Sequence, residues 1–170
     1  MRSVDQTAPV RIDEIPLPDG RPGRLFATGF SVVGPDPDAA LDHVGADLLL
    51  CLITDHEIGL RFPAFGDWLR DRAGGRALHA PVEDGGVGDD DAVEALITDL
   101  GRRLDAGASI VTHCGAGLGR TSVVCGLLLV RAGVPLTEAL ATVRTARPGS
   151  GPENPDQRAH LDRMAARLLR

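Results

Sequence analysis

The chain contains no tyrosine and no lysine; all 18 of its basic residues are arginine. Aromatic residues make up only 3% of its 170 positions. Cysteine is scarce too. The three present lack the paired spacing of a disulfide framework and the ligand spacing of structural zinc, which points to a reducing compartment, the cytoplasm. His56-Glu57 has no second histidine at the spacing a zinc-protease helix needs, so neither a metal nor another cofactor is expected. No apolar run approaches the ~18 residues of a membrane-spanning helix. The first residues have no apolar core behind their charges, so no signal peptide is expected. Acidic residues outnumber basic ones, 24 against 18, for a formal net charge of -6. That balance argues against a nucleic acid or an anionic membrane surface as the partner.

What is present is an ordinary globular balance, 43% apolar and 25% charged. A chain of 170 residues is long enough to bury one real core. Residues 1–23, rich in Pro, Gly and charge, read as an irregular arm with a short strand at 10–15; residues 24–170 read as one domain without internal repeats. Strands are expected at 24–30, 47–54, 76–82 and 109–113. Helices are expected at 35–45, 64–73, 89–105, 120–132, 136–146 and 155–169. Strands alternating with helices imply an α/β fold with a central, mostly parallel sheet flanked by helices. Such folds bind ligands at the carboxyl ends of their strands.

One segment carries most of the chemistry: His113-Cys114-Gly115-Ala116-Gly117-Leu118-Gly119-Arg120-Thr121. An apolar strand leads in and an apolar helix leads out, with glycines between. A loop of this kind aims backbone N–H groups at one spot, and the following helix adds the positive end of its dipole. The spot suits an oxyanion, and it favours the ionised, reactive form of a thiol at its centre. Cys114 is therefore the candidate nucleophile. Arg120 is the candidate anion clamp, since a planar guanidinium can hold two oxygens at once.

The segment resembles the signature of the Cys-based protein phosphatases: His-Cys, five residues, Arg, then Ser or Thr. The resemblance implies a three-layer phosphatase fold and a metal-free reaction through a phosphocysteine intermediate. Gly115, Ala116, Gly117, Leu118, Gly119 and Arg120 would bind the phosphoryl group. His113 would hold the loop and support the thiolate. Thr121 would stabilise the thiolate as it leaves, although its hydroxyl can also cap a helix.

The leaving oxygen needs a proton. Pro81-Val82-Glu83-Asp84-Gly85-Gly86 resembles the general-acid loop of dual-specificity phosphatases, notably relatives of the cyclin-dependent-kinase-associated phosphatase. The match makes Asp84 the acid, with Glu83 and then Asp89 as runners-up. A third stretch, Arg147 to Gln157, resembles the family's segment that positions the hydrolytic water, through Gln157 or Asn154. A capped helix start is the alternative reading of those two residues. Arg147 is a candidate for substrate charge compensation. Cys51 and Cys125 read as core, with a reversible Cys51–Cys114 disulfide possible only if their backbones lie close.

The loop interior bears on substrate. Phosphoinositide 3-phosphatases with this signature carry lysines where this chain has Ala116 and Leu118. With no tyrosine to wall a deep pocket, a shallow site for phosphotyrosine, extending to phosphoserine and phosphothreonine, fits best. The partner is then a phosphorylated protein. A small phosphate ester such as an inositol phosphate, or a catalytically silent phosphate-binding module, is the alternative. Segments 55–63, 85–90 and 149–154 are expected as variable recognition loops, and the sequence leaves the oligomeric state open.

Overall fold

Residues 11–170 are described by a computed structural model of the chain. Five strands form its middle layer: β1 (Asp13–Ile15), β2 (Arg24–Gly29), β3 (Leu48–Cys51), β4 (Ala77–His79) and β5 (Ser109–Cys114). Their order is β1-β2-β5-β3-β4. Only β1 runs antiparallel, against β2; the other pairings are parallel. The arm thus supplies an edge strand, shorter than the expected 10–15, and Val10 lies outside the described residues.

Apolar runs take the middle of the sheet because both of its faces are covered. All four residues of β3 are buried, and five of the six in β5. The crossover β3-to-β4 carries α3 (Asp55–Arg61) and α4 (Pro63–Arg72), and the return β4-to-β5 carries α5 (Asp90–Asp105). These crossovers run in opposite directions, so right-handed connections place their helices on opposite faces. The short α1 (Phe30–Val33) and α2 (Pro37–Val44) lie on the side of α3 and α4, with Phe30 against Phe65 and Asp38 accepting from Trp68 of α4. α6 (Arg120–Arg131), α7 (Leu136–Ala146) and α8 (Pro155–Leu168) pack with α5. The result is the expected three-layer α/β arrangement. No helix among the described residues is long and apolar enough to cross a membrane.

Two further strands are shorter than expected. The 47–54 run stops at Cys51 because Thr54 caps α3. The 76–82 run stops at His79, yet its continuation is tied to β3: Ala80 N donates to Cys51 O (3.0 Å) and Val82 N to Leu52 O (2.9 Å). Segment 55–63, expected as a loop, is helix α3 and the start of α4. Its Thr54-x-x-Glu57 sequence is a capping box, a start signal that the expectation overlooked. The strand expected over 24–30 ends at Gly29, and Phe30 opens α1.

Candidate active site

The carboxyl ends of β3, β4 and β5 share one edge of the sheet, and each leads into a segment bordering one cleft. The cleft has a volume of about 200 Å³ and is lined by Glu57, Asp84, Cys114, Gly115, Ala116, Gly119, Arg120 and Glu153. A larger, mostly apolar cavity of about 340 Å³ lies between residues 80–89, α5 and α6. It touches Arg120 but not Cys114, which lines the smaller cleft.

The loop between β5 and α6 has an unusual hydrogen-bond pattern. The Cys114 carbonyl accepts from His113 Nδ1 (3.1 Å) and Gly115 O from Phe30 N (2.8 Å). Ala116 O accepts from Arg147 Nη2 (2.9 Å) and Gly117 O from Arg147 Nε (2.7 Å). Leu118 O accepts from Gly151 N (3.2 Å), and Gly119 O from Ser122 Oγ (2.7 Å) and Val123 N (3.2 Å). In a trans peptide the next N–H points opposite to the carbonyl. The amides of residues 115–120 are thereby turned the other way, and those of 115–119 have no partner among the described residues. Gly117 is required by this path. Its φ is +73°, and a Cβ there would fall 2.1 Å from Thr28 O.

Arg120 is the hub. Its side chain is 4% exposed. Nη1 donates to Glu57 Oε2 (2.9 Å) and Val82 O (2.7 Å); Nη2 donates to Glu57 Oε1 (2.8 Å) and lies 3.3 Å from Asp84 Oδ1. One guanidinium thus joins α3, the 82–84 segment and the Cys114 loop. The Arg120 hydrogen bonds pull the Glu57 carboxyl down to about 2, helped by the Thr54 backbone N–H and against a desolvation cost. Sequence reasoning missed Glu57 as a site residue; the signal was the capping box that places it.

Asp84 is exposed at its turn, with one oxygen near Arg120. Glu83 and Asp89, the runner-up acids, do not line the cleft, and Asp89 caps α5 at Ala92 N. Asn154 and Gln157 do not line it either. Asn154 Nδ2 donates to Gly85 O (2.7 Å), and Gln157 Nε2 to Gly86 O (3.3 Å). Gln157 is fully buried, with its Oε1 accepting from Glu153 N. The residue from this stretch that reaches the cleft is Glu153.

Arg147 lies behind the loop rather than in the cleft. Its guanidinium is spent on the two loop carbonyls and on Asp13 of β1 (Nη1 to Oδ2, 2.7 Å). His113 stacks on Phe30 (5.6 Å between centroids) with Phe65 edge-on at 5.5 Å. Complete burial pushes its imidazole down to about 4, so it is neutral near pH 7. Thr121 Oγ1 is buried without a hydrogen-bond partner among the described residues. Cys51 pairs in register with His113, so its side chain shares His113's face of the sheet, opposite that of Cys114. A Cys51–Cys114 disulfide would need the backbone to move. Burial pushes both the Cys51 and Cys125 thiols up to about 12, which keeps them protonated and inert.

Residues 21–163 match the family model PTP-SAK, described as "Swiss Army Knife protein, DSP-PTPase phosphatase domain". No curated protein matches the chain significantly in sequence. Among solved structures it is similar to Tk-PTP in its active form (25% identity, 91% of this chain and 97% of that one covered, TM-score 0.67). It is similar to the kinase-associated phosphatase KAP with its catalytic-site cysteine substituted by serine (20%, 96% and 98%, 0.75). A mouse putative dual specificity phosphatase complexed with zinc tungstate also matches (24%, 98% and 94%, 0.70).

Proposed function

Because the chain belongs to the PTP-SAK family of dual-specificity-type protein-tyrosine phosphatase domains, and is a Cys-dependent phosphomonoesterase, we propose that Cys114 attacks the phosphorus of a phosphorylated protein side chain. The sulfur–phosphorus bond forms as the bond to the substrate oxygen breaks, leaving a phosphocysteine. The amides of residues 115–120 and the Arg120 guanidinium hold the phosphoryl oxygens as charge builds on them. The contact Arg120 exchanges is the long one to Asp84, because Glu57 holds it from behind. Asp84 then gives its proton to the departing oxygen. Water cleaves the phosphocysteine with Asp84 as base, and the Thr121 hydroxyl steadies the released thiolate. No step calls for a metal.

The observation that carries this reading is the run of six outward-bonded carbonyls from Cys114 to Gly119, which aims the amides at the nucleophile. Asn154 and Gln157 act here as braces for the acid loop instead of as water ligands. Ala116 and Leu118 leave the loop without a cation for a second phosphate, which favours a singly phosphorylated substrate. Phosphotyrosine is the main substrate, with phosphoserine and phosphothreonine reachable in a shallow cleft. The free cysteines suit the cytoplasm.

Phosphate release from phosphotyrosine, phosphoserine and phosphothreonine peptides, and from inositol phosphates, tests the proposal. Wild-type protein should turn over the phosphotyrosine peptide fastest and Cys114→Ser none of them. Turnover by Cys114→Ser, or inositol phosphates outrunning every peptide, would overturn it.

A further inference from the structure

The cleft is short of positive charge for a site that takes a dianion. Three acidic side chains line it, those of Glu57, Asp84 and Glu153; with Asp84 protonated as the general acid, two carboxylates face the single guanidinium of Arg120. Arg120 is already committed to Glu57 and Asp84. Arg147 lends nothing to the rim, since its donors are taken by loop carbonyls and Asp13. Two of the segments that border the opening, 80–93 and 148–157, contain no basic residue, and Arg61 of α3, the third, lies over the Phe30 and Phe62 rings.

Glu153 stands apart within this set. It is exposed and has no ion pair among the described residues. Its carboxylate presses on the start of α6: a Cβ on Gly119 would lie 2.3–2.7 Å from its Cδ and oxygens. An unpaired anion is thereby held one residue from Arg120, beside the place the phosphoryl group must take. Acidic neighbours on the substrate would add to a surplus of negative charge; a cationic neighbour would supply the partner that Glu153 lacks.

We propose that the cleft selects phosphorylated residues flanked by arginine or lysine, with Glu153 as the specificity-determining carboxylate. The inference rests on the phosphatase reading above and deepens it by naming the substrate class. The interaction is at the surface, so its effect is modest and screened by salt.

The test compares kcat/KM for three phosphotyrosine peptides that differ only in the residues flanking the phosphotyrosine: arginine, glutamine or glutamate. At low salt the arginine peptide should exceed the glutamate peptide by about fivefold to tenfold, and the gap should narrow at high salt. Glu153→Gln should cut that ratio to about half or less, and Glu153→Arg should reverse it. The ratio is read, so changes in overall turnover cancel. Equal rates on the three peptides, a preference for glutamate, or a ratio unmoved in both variants would overturn the inference. A multiply phosphorylated inositol hydrolysed faster than the arginine peptide would overturn it too. Failure of wild-type protein to hydrolyse para-nitrophenyl phosphate would instead strike the phosphatase reading itself.

Discussion

Arg120 and Glu57, 63 positions apart, meet fork to fork: Nη1 lies 2.9 Å from Oε2 and Nη2 2.8 Å from Oε1. A guanidinium held on that edge is fixed before any substrate arrives, which is how positioning lowers a barrier. Glu57→Gln separates this clamp from the capping of α3, because a capping box accepts either Glu or Gln. The variant should keep α3 and lose about 1–2 kcal/mol of stability, as a partly exposed partner is weakened. Its kcat/KM should fall by about 10- to 100-fold. Steady-state kinetics and denaturant unfolding check both numbers.

The same pair shapes the response to acid. Glu57 sits near 2 in the folded protein against an ordinary 4.5, so its contribution is complete above about pH 4.5 and fades as pH falls toward 2. His113 sits near 4 against an ordinary 6.5. The unfolded chain therefore takes up that proton first, and stability declines as pH falls from about 6.5 toward 4. His160, lowered by burial, adds to the decline. Tm should drop between pH 7 and 4.5, and the difference in stability between wild type and Glu57→Gln should shrink only below that range. A flat Tm over pH 7–4.5 would contradict this.

Asp84→Asn should slow substrates with poor leaving groups most, since only they need the proton in the transition state. Asn154→Ala and Gln157→Ala should reproduce the effect more weakly, by loosening Gly85 and Gly86. A series of aryl phosphates with graded leaving groups measures it. If the two brace variants slowed all leaving groups equally, the bracing role would fail.

Arg147→Ala should destabilise the protein by roughly 2–3 kcal/mol, because it strands two loop carbonyls and Asp13 together. Gly117→Ala should reduce kcat/KM by at least about 100-fold, since both the positive φ and Thr28 O refuse a Cβ. Phosphate-analogue binding by calorimetry should be lost in Gly117→Ala and weakened in Arg147→Ala.

The strand–loop–helix around Cys114 was legible because glycine spacing and flanking apolar runs are local signals. Asp84 came from the likeness of Pro-Val-Glu-Asp-Gly-Gly to a family loop, since locally it reads as a turn aspartate, and the fold brings it to the cleft beside Arg120. Glu57 was not legible, because its partner lies far away in sequence and only the β3–β5 pairing brings them together. Arg147 was noticed but assigned to the substrate; its direction depends on β1, whose Asp13 draws it behind the loop. Asn154 and Gln157 carried two readings, and their amide geometry toward Gly85 and Gly86 was invisible without the fold. Short α1 was hidden at the end of an expected strand, and α3 lay in an expected loop whose capping box went unread.

The central claim is a covalent phosphoryl group on Cys114. Wild-type protein mixed with a fast aryl phosphate, quenched in acid within one turnover and digested, should yield one peptide heavier by a single phosphoryl group, with the modification on Cys114 and no such peptide from Cys114→Ser. The yield should be unchanged by chelators. A phosphorylated histidine, an unmodified Cys114 during active turnover, or an equal adduct in Cys114→Ser would contradict the account.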